Sequence, residues 1–411
     1  MSWIKSNKFI NLSLVLAGCL LALLAAEFFF RIILPGENTD YEFIGKPDAV
    51  LGYVRNPDKN LFIDEDSFKN YSVSKKADII ALGDSFTWGY TEGIKDTVEA
   101  SWPYYLGGLT GLSVYNMGVG GYGPVQYYAL TKKALSFKPE YLIIGVFMAN
   151  DFYDAYNMTY NGILMGHKFY EYYGMTENKD FWKELRSPDF SNTEYEKTEL
   201  DNPEAKFRSL RKYIRKHSVL YGFLADNTYD LRVKAGLAKL LEKVKETKDW
   251  KTEGTNISLA YDDRSDIDTR FLVTEHAYGV DHEDKRISEG MRISFDLFGK
   301  IKTSAVRSEA KPIFIMVPSK KLVYEKILGD KVKENKLLET ALNNEKDLRI
   351  KTFAVCKKHG LNCIDLLPGL QKELTSGRRL YTKLADGHFA SEGYKVIAEI
   401  VKNYVKQKRQ D

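Results

Sequence analysis

Residues 77–89 read Ala77-Asp78-Ile79-Ile80-Ala81-Leu82-Gly83-Asp84-Ser85-Phe86-Thr87-Trp88-Gly89. An unbroken apolar run, Ile79 to Leu82, meets a glycine, then an acid, a serine and a second glycine. Four apolar residues bounded by turn formers predict a short strand buried on both faces, ending in a tight turn. Ser85 then stands at the carboxyl end of that strand. In open α/β sheets this edge is where ligands bind. A serine there is a candidate nucleophile, provided the chain also supplies a base, an acid to orient it and donors for an oxyanion.

The alternation continues outward from this strand. A helix is expected around Thr97–Leu109, a short strand at Leu112–Asn116, a glycine-rich turn from Gly118 to Gly123, and a helix beginning near Pro124. Tyr141–Phe147 is almost wholly apolar, as a parallel strand covered on both faces must be. After Asp154 the rhythm stops until Pro312–Val317. A charged helix over 333–359, a strand at Asn362–Leu366 and a last helix over 391–406 complete the series. Five strands with intervening helices predict an α/β fold, a three-layer flavodoxin-like sandwich with a five-stranded parallel sheet. The expected organisation is an anchor at 1–34, a linker and domain edge at 35–75, and the α/β domain in two parts, 76–154 and 307–411. Between those parts, 155–306 is expected to be a mostly helical insertion or cap, with one amphipathic helix near Leu231–Lys245.

Composition narrows the class. The formal charge is only +4 over 411 residues, and no basic stretch is interleaved with aromatics, so nucleic-acid binding is not expected. Lys5 and Lys8 precede a nearly uncharged run from Phe9 to Ala26, extended by Phe28, Phe29 and Phe30. A run of about 20 apolar residues spans a bilayer, with its positive flank on the cytoplasmic side. That predicts an N-terminal transmembrane helix in a bacterial inner membrane, single-pass, with the catalytic domain extracytoplasmic (periplasmic). Two other readings stay open: a cleaved signal, or lipidation at Cys19 within Leu16-Ala17-Gly18-Cys19. Cys356 and Cys363 either pair, as an oxidising compartment permits, or are small buried side chains. None of His167, His217, His276, His282 and His359 falls at metal-ligand spacing.

Four blocks occur in order: Gly83-Asp84-Ser85-Phe86, Asn116-x-Gly118-x-x-Gly121, Asn150-Asp151 and Asp386-Gly387-His388. In this the chain resembles the SGNH (GDSL-type) hydrolase superfamily, over 76–154 and 312–408. The resemblance implies Ser85 as nucleophile, His388 as general base and Asp386 as the acid that orients it. It also implies an oxyanion hole from the Ser85 and Gly121 N–H groups and the Asn150 side chain. Phe86 replaces the leucine of the family's common name, and the acid lies two residues before the histidine instead of three. That Asp-x-His spacing is similar to the branch of alginate-acetylation and related exopolysaccharide proteins. Asp84 is expected to hold the turn, and Gly118, Gly120 and Gly123 to shape theirs. Trp88 and Tyr90 either line a pocket or pack.

The chemistry implied is acyl transfer. An imidazole removes the hydroxyl proton during attack, and a carboxylate fixes its tautomer. No cofactor or metal is required. The expectation is an extracytoplasmic serine esterase or O-acyltransferase, with O-acetyl the expected group, acting on a polysaccharide or cell-envelope glycan. A membrane-bound O-acyltransferase is an implied partner. Two alternatives remain: a non-catalytic scaffold in such a complex, and a lipase acting on membrane lipid.

Overall fold

In the computed structural model the chain divides into two units, Gly45–Phe190 with Trp250–Asp411, and Met1–Ile44 with Ser191–Asp249. The structure describes residues 45–48, 51–91, 97–164, 277–382 and 387–410, and shorter pieces at 18, 21–29, 167–168, 184–188, 190, 258–260 and 269–272. The expected helix near Leu231–Lys245 lies outside these residues.

The larger unit opens with an antiparallel hairpin, β1 (Gly45–Asp48) and β2 (Gly52–Arg55). Five of the strands that follow make the main sheet: β3 (Ile79–Leu82), β4 (Val114–Asn116), β5 (Tyr141–Phe147), β6 (Lys311–Val317) and β7 (Cys363–Asp365). They form one sheet in the order β7-β6-β5-β3-β4, every neighbouring pair parallel. Every residue of β3 and β5 is buried, so these strands are covered on both faces. The chain runs from β3 outward to β4 and then returns to β5 on the other side. That reversal opens a crevice at the carboxyl ends of β3 and β5.

Helices α1 (Ser85–Trp88), α2 (Trp102–Thr110), α3 (Pro124–Ser136) and α4 (Asp151–Asn161) lie between and after the first strands. The second half adds α5 (Lys285–Arg307), α6 (Lys320–Leu328), α7 (Lys336–Lys358), α8 (Leu367–Thr375) and α9 (Ser391–Gln410). α3, α4 and α5 pack on one another, while α2 packs on α9 and α9 on α8.

Several elements differ from the sequence reading. α2 starts at Trp102, later than expected, with Pro103 in its first turn, where its missing N–H costs nothing. α5, assigned by sequence to the insertion, is a helix of the sandwich. Ile287, Ile293, Leu297, Phe298 and Ile301 recur at helical spacing along it and are buried. Each such side chain contributes roughly 1.5–3 kcal/mol relative to exposure. α6 and α8 are short helices not expected from sequence. Cys356, near the end of α7, forms a disulfide with Cys363 at the start of β7, which selects the first of the two readings.

Of the smaller unit, residues 21–29 are helical, with Leu21, Leu23, Leu24, Phe28 and Phe29 exposed. Among the described residues no helix is long and apolar enough to cross a membrane. Most of the expected span lies outside them.

Candidate active site

The turn that carries Ser85 follows from local chemistry. After β3 the chain turns at Gly83, and Asp84 caps α1, its Oδ1 accepting the Phe86 N–H at 2.9 Å. The Thr87 and Trp88 N–H groups both donate to the Asp84 carbonyl. Ser85 is the first residue of this single turn. Its own N–H makes no hydrogen bond among the described residues.

His388 arrives from the far end of the chain. Its Nε2 lies 2.7 Å from Ser85 Oγ. The imidazole stacks on Phe86 at 4.6 Å between centroids and meets the edge of Tyr90 at 4.9 Å. Two bonds fasten the segments together: Thr91 Oγ1 donates to the Phe389 carbonyl at 2.8 Å, and Tyr394 Oη to the Tyr90 carbonyl at 2.6 Å. The ring is therefore held by aromatic packing, and its segment is pinned to the one that follows Ser85. Asp386 lies outside the described residues.

The turn after β4 supplies the second side of the site. Asn116 Oδ1 accepts the Gly118 N–H, Gly83 O accepts the Val119 N–H, and Val119 O accepts the Tyr122 N–H. The Gly123 N–H donates to Gln126 Oε1. Among the described residues, only the Gly120 and Gly121 N–H groups of this turn make no such bond. Gly121 has φ +79°, a conformation that side chains resist. Gly118 is closely packed: a methyl group on its Cα would lie 2.7 Å from the Trp88 N atom. A methyl group on Gly120 would sit 3.7 Å from Ser85 Cβ, so this turn runs directly beside Ser85.

Asn150 stands just past the carboxyl end of β5, the strand beside β3, at the N-cap position of α4. Its side chain makes no capping bond, and its buried Oδ1 has no hydrogen-bond partner. Among the described residues the side chain therefore makes no hydrogen bond.

Behind the site lies a group of acids whose environment the sequence did not disclose. Burial pushes the Asp84 carboxyl up to about 6, against the opposing pull of the Phe86 N–H and His388. Burial pushes Asp154 up to about 8, with the Asp84 charge adding to it. Burial also holds Asp151 well above the ordinary carboxylate range, reinforced by Asp84 and Asp154. Asp151 Oδ2 accepts from Tyr127 Oη at 3.1 Å and from the Phe147 N–H at 3.2 Å. The adjacency of Asp151 and Asp154 in one helical turn was visible in sequence; their burial was not.

Trp88 packs in the interior, and Tyr90 is 42% exposed at the rim. Sequence reasoning missed Tyr53 and Arg55. Tyr53 Oη donates to the Gly120 carbonyl, and Tyr122 Oη donates back to the Tyr53 carbonyl, so β2 is docked on the glycine turn. Their alternation along a strand, which puts both on one face, was the available signal.

No protein-family model matches the chain, and no curated protein does either. Among solved structures it is similar to a protein of the G-D-S-L lipolytic family from Desulfitobacterium hafniense DCB-2, at 14% identity and TM-score 0.34, over 80% of this chain and 99% of that one. An acetyl-xylooligosaccharide esterase variant from a Geobacillus species aligns at 10% identity and TM-score 0.34, over 80% and 93%. An alpha/beta hydrolase from the metagenome of Lake Arreo, Spain, aligns at 10% identity and TM-score 0.33, over 80% and 94%. Likenesses this distant settle nothing about what the chain does, which has to be judged from the site.

Proposed function

We propose that the chain is an extracytoplasmic serine esterase or O-acyltransferase, with O-acetyl the group handled, working through an acyl-Ser85 intermediate on a polysaccharide or cell-envelope glycan. The observation that carries this reading is the 2.7 Å contact between Ser85 Oγ and His388 Nε2, beside N–H groups at Ser85 and Gly121 with no internal acceptor. His388 takes the hydroxyl proton as Ser85 attacks the ester carbonyl. The oxyanion that forms is held by the Ser85 and Gly121 N–H groups and the Asn150 amide. The tetrahedral intermediate then expels the alcohol, which receives the proton from His388. Water or a sugar hydroxyl, deprotonated by the same imidazole, releases the acyl group. Asp386, two residues before His388, would orient the ring.

The lysine-flanked apolar N-terminus and the Cys356–Cys363 disulfide support an anchored protein facing an oxidising compartment. A membrane-bound O-acyltransferase that delivers acyl groups is the partner this placement suits. The test is turnover of p-nitrophenyl acetate by the full chain in detergent. Ser85→Ala should abolish it. Equal rates for wild type and variant would end the enzymatic reading, and product analysis with an added glycan acceptor separates transfer from hydrolysis.

A further inference from the structure

Arg55, at the end of β2, reaches the nucleophile from a segment that sequence reasoning treated as a linker. A methyl group on Gly120 Cα would lie 3.6 Å from Arg55 Nη2 and 3.7 Å from Ser85 Cβ, so the guanidinium and Ser85 border the same small space beside Gly120. The guanidinium is held by aromatic faces, not by acids: its carbon lies 5.2 Å from the Trp88 ring centroid and 5.9 Å from that of Tyr53. Trp88 belongs to the nucleophile turn, and its ring also lies 5.1 Å from Lys69 Nζ. Tyr53, two residues before Arg55, is tied to the Gly120 carbonyl. The cation is thus registered to both the nucleophile and the oxyanion turn.

Among the described residues Arg55 makes no ion pair and no hydrogen bond, and its Nε is buried without a partner. Cation–π contact leaves every in-plane donor of the fork unused. A desolvated donor without an acceptor is costly, and it is relieved when an anion is bound.

We propose that Arg55 is a specificity-determining residue that binds an anionic group, carried by the acylated substrate, beside Ser85. This rests on the acyl-serine reading above. The planar fork suits a carboxylate, sulfate or phosphate bound through two parallel hydrogen bonds.

The test compares kcat/KM of the full chain on three matched sugars: O-acetylated methyl galactoside, its galacturonic acid counterpart, and its 6-sulfate. Wild type should prefer at least one acidic sugar by about ten- to a hundredfold, the range expected of a hydrogen bond between charged groups. The preference should shrink with added sodium chloride. Arg55→Gln should bring the acidic-to-neutral ratio close to one, mainly through KM, and Arg55→Lys should restore part of it. Which acidic sugar is favoured distinguishes carboxylate from sulfate. A second measurement needs no variant: free galacturonate or galactose 6-sulfate should compete with p-nitrophenyl acetate turnover, and galactose should not. The proposal is overturned if wild type shows no acidic preference, or if Arg55→Gln lowers acidic and neutral rates in equal proportion. Failure of the acyl-serine reading looks different: Ser85→Ala would then turn over p-nitrophenyl acetate as fast as wild type.

Discussion

Asn150→Ala separates catalysis from architecture more sharply than any other single change. Asn150 occupies the N-cap position of α4, where such a residue ordinarily accepts a backbone hydrogen bond. Losing that bond typically costs about 1 kcal/mol. Here the side chain makes no capping bond, and its Oδ1 is buried without a partner. Truncation therefore removes an unsatisfied polar atom and no internal hydrogen bond, so stability should hold or rise slightly. Catalysis should respond in the opposite way. If the amide donates to the oxyanion, its loss should lower kcat about 100- to 1000-fold, equivalent to about 2.7–4 kcal/mol of transition-state stabilisation. KM should move little, because the bond strengthens only as charge develops. The assay pairs steady-state kinetics on p-nitrophenyl acetate with thermal denaturation of the same preparation. Two results would refute the reasoning. A kcat within threefold of wild type removes Asn150 from the oxyanion hole. A fall in Tm of about 2 °C or more, the size expected of a lost cap in a domain of a few hundred residues, shows that the side chain is structural.

Two further outcomes are expected. Replacing both Cys356 and Cys363 by serine opens a loop with a sequence separation of only 7, so chain entropy predicts a loss of about 2.5 kcal/mol. Activity should persist below the lowered Tm, and a reductant should reproduce the shift in wild type but not in the double variant. Asp154 keeps its proton up to about 8 in the folded chain and releases it near 3.8 when unfolded. Its contribution to stability is therefore complete below the unfolded value and is lost as pH rises through the folded one. Asp154→Asn should gain stability relative to wild type between pH 5 and pH 9 in a Tm series; a constant difference between the two curves would contradict the burial argument.

The main pieces of the site were legible because their signals are local. A parallel strand covered on both faces admits no charge, so β3, β5 and the Ile313–Val317 part of β6 stand out as apolar runs. The turn that presents Ser85 needs glycine and a capping acid, and Gly83 and Asp84 are adjacent to it in sequence. The helix start at Ser391, three residues after His388, returns the histidine to the same sheet edge by connectivity alone. α5 was legible in principle from its apolar spacing, but its charged surface concealed that stripe.

What the sequence by itself determined is the five-stranded parallel sheet and the turn that carries Ser85, because backbone periodicity and turn chemistry act within a few residues. Only the tertiary structure decided which amides stay unbonded, which acids lose water, and which cation borders the Gly120 turn beside Ser85. Those properties depend on what packs around a group. Gly121, Asp154 and Arg55 acquire theirs from segments distant along the chain, and no local pattern encodes that company.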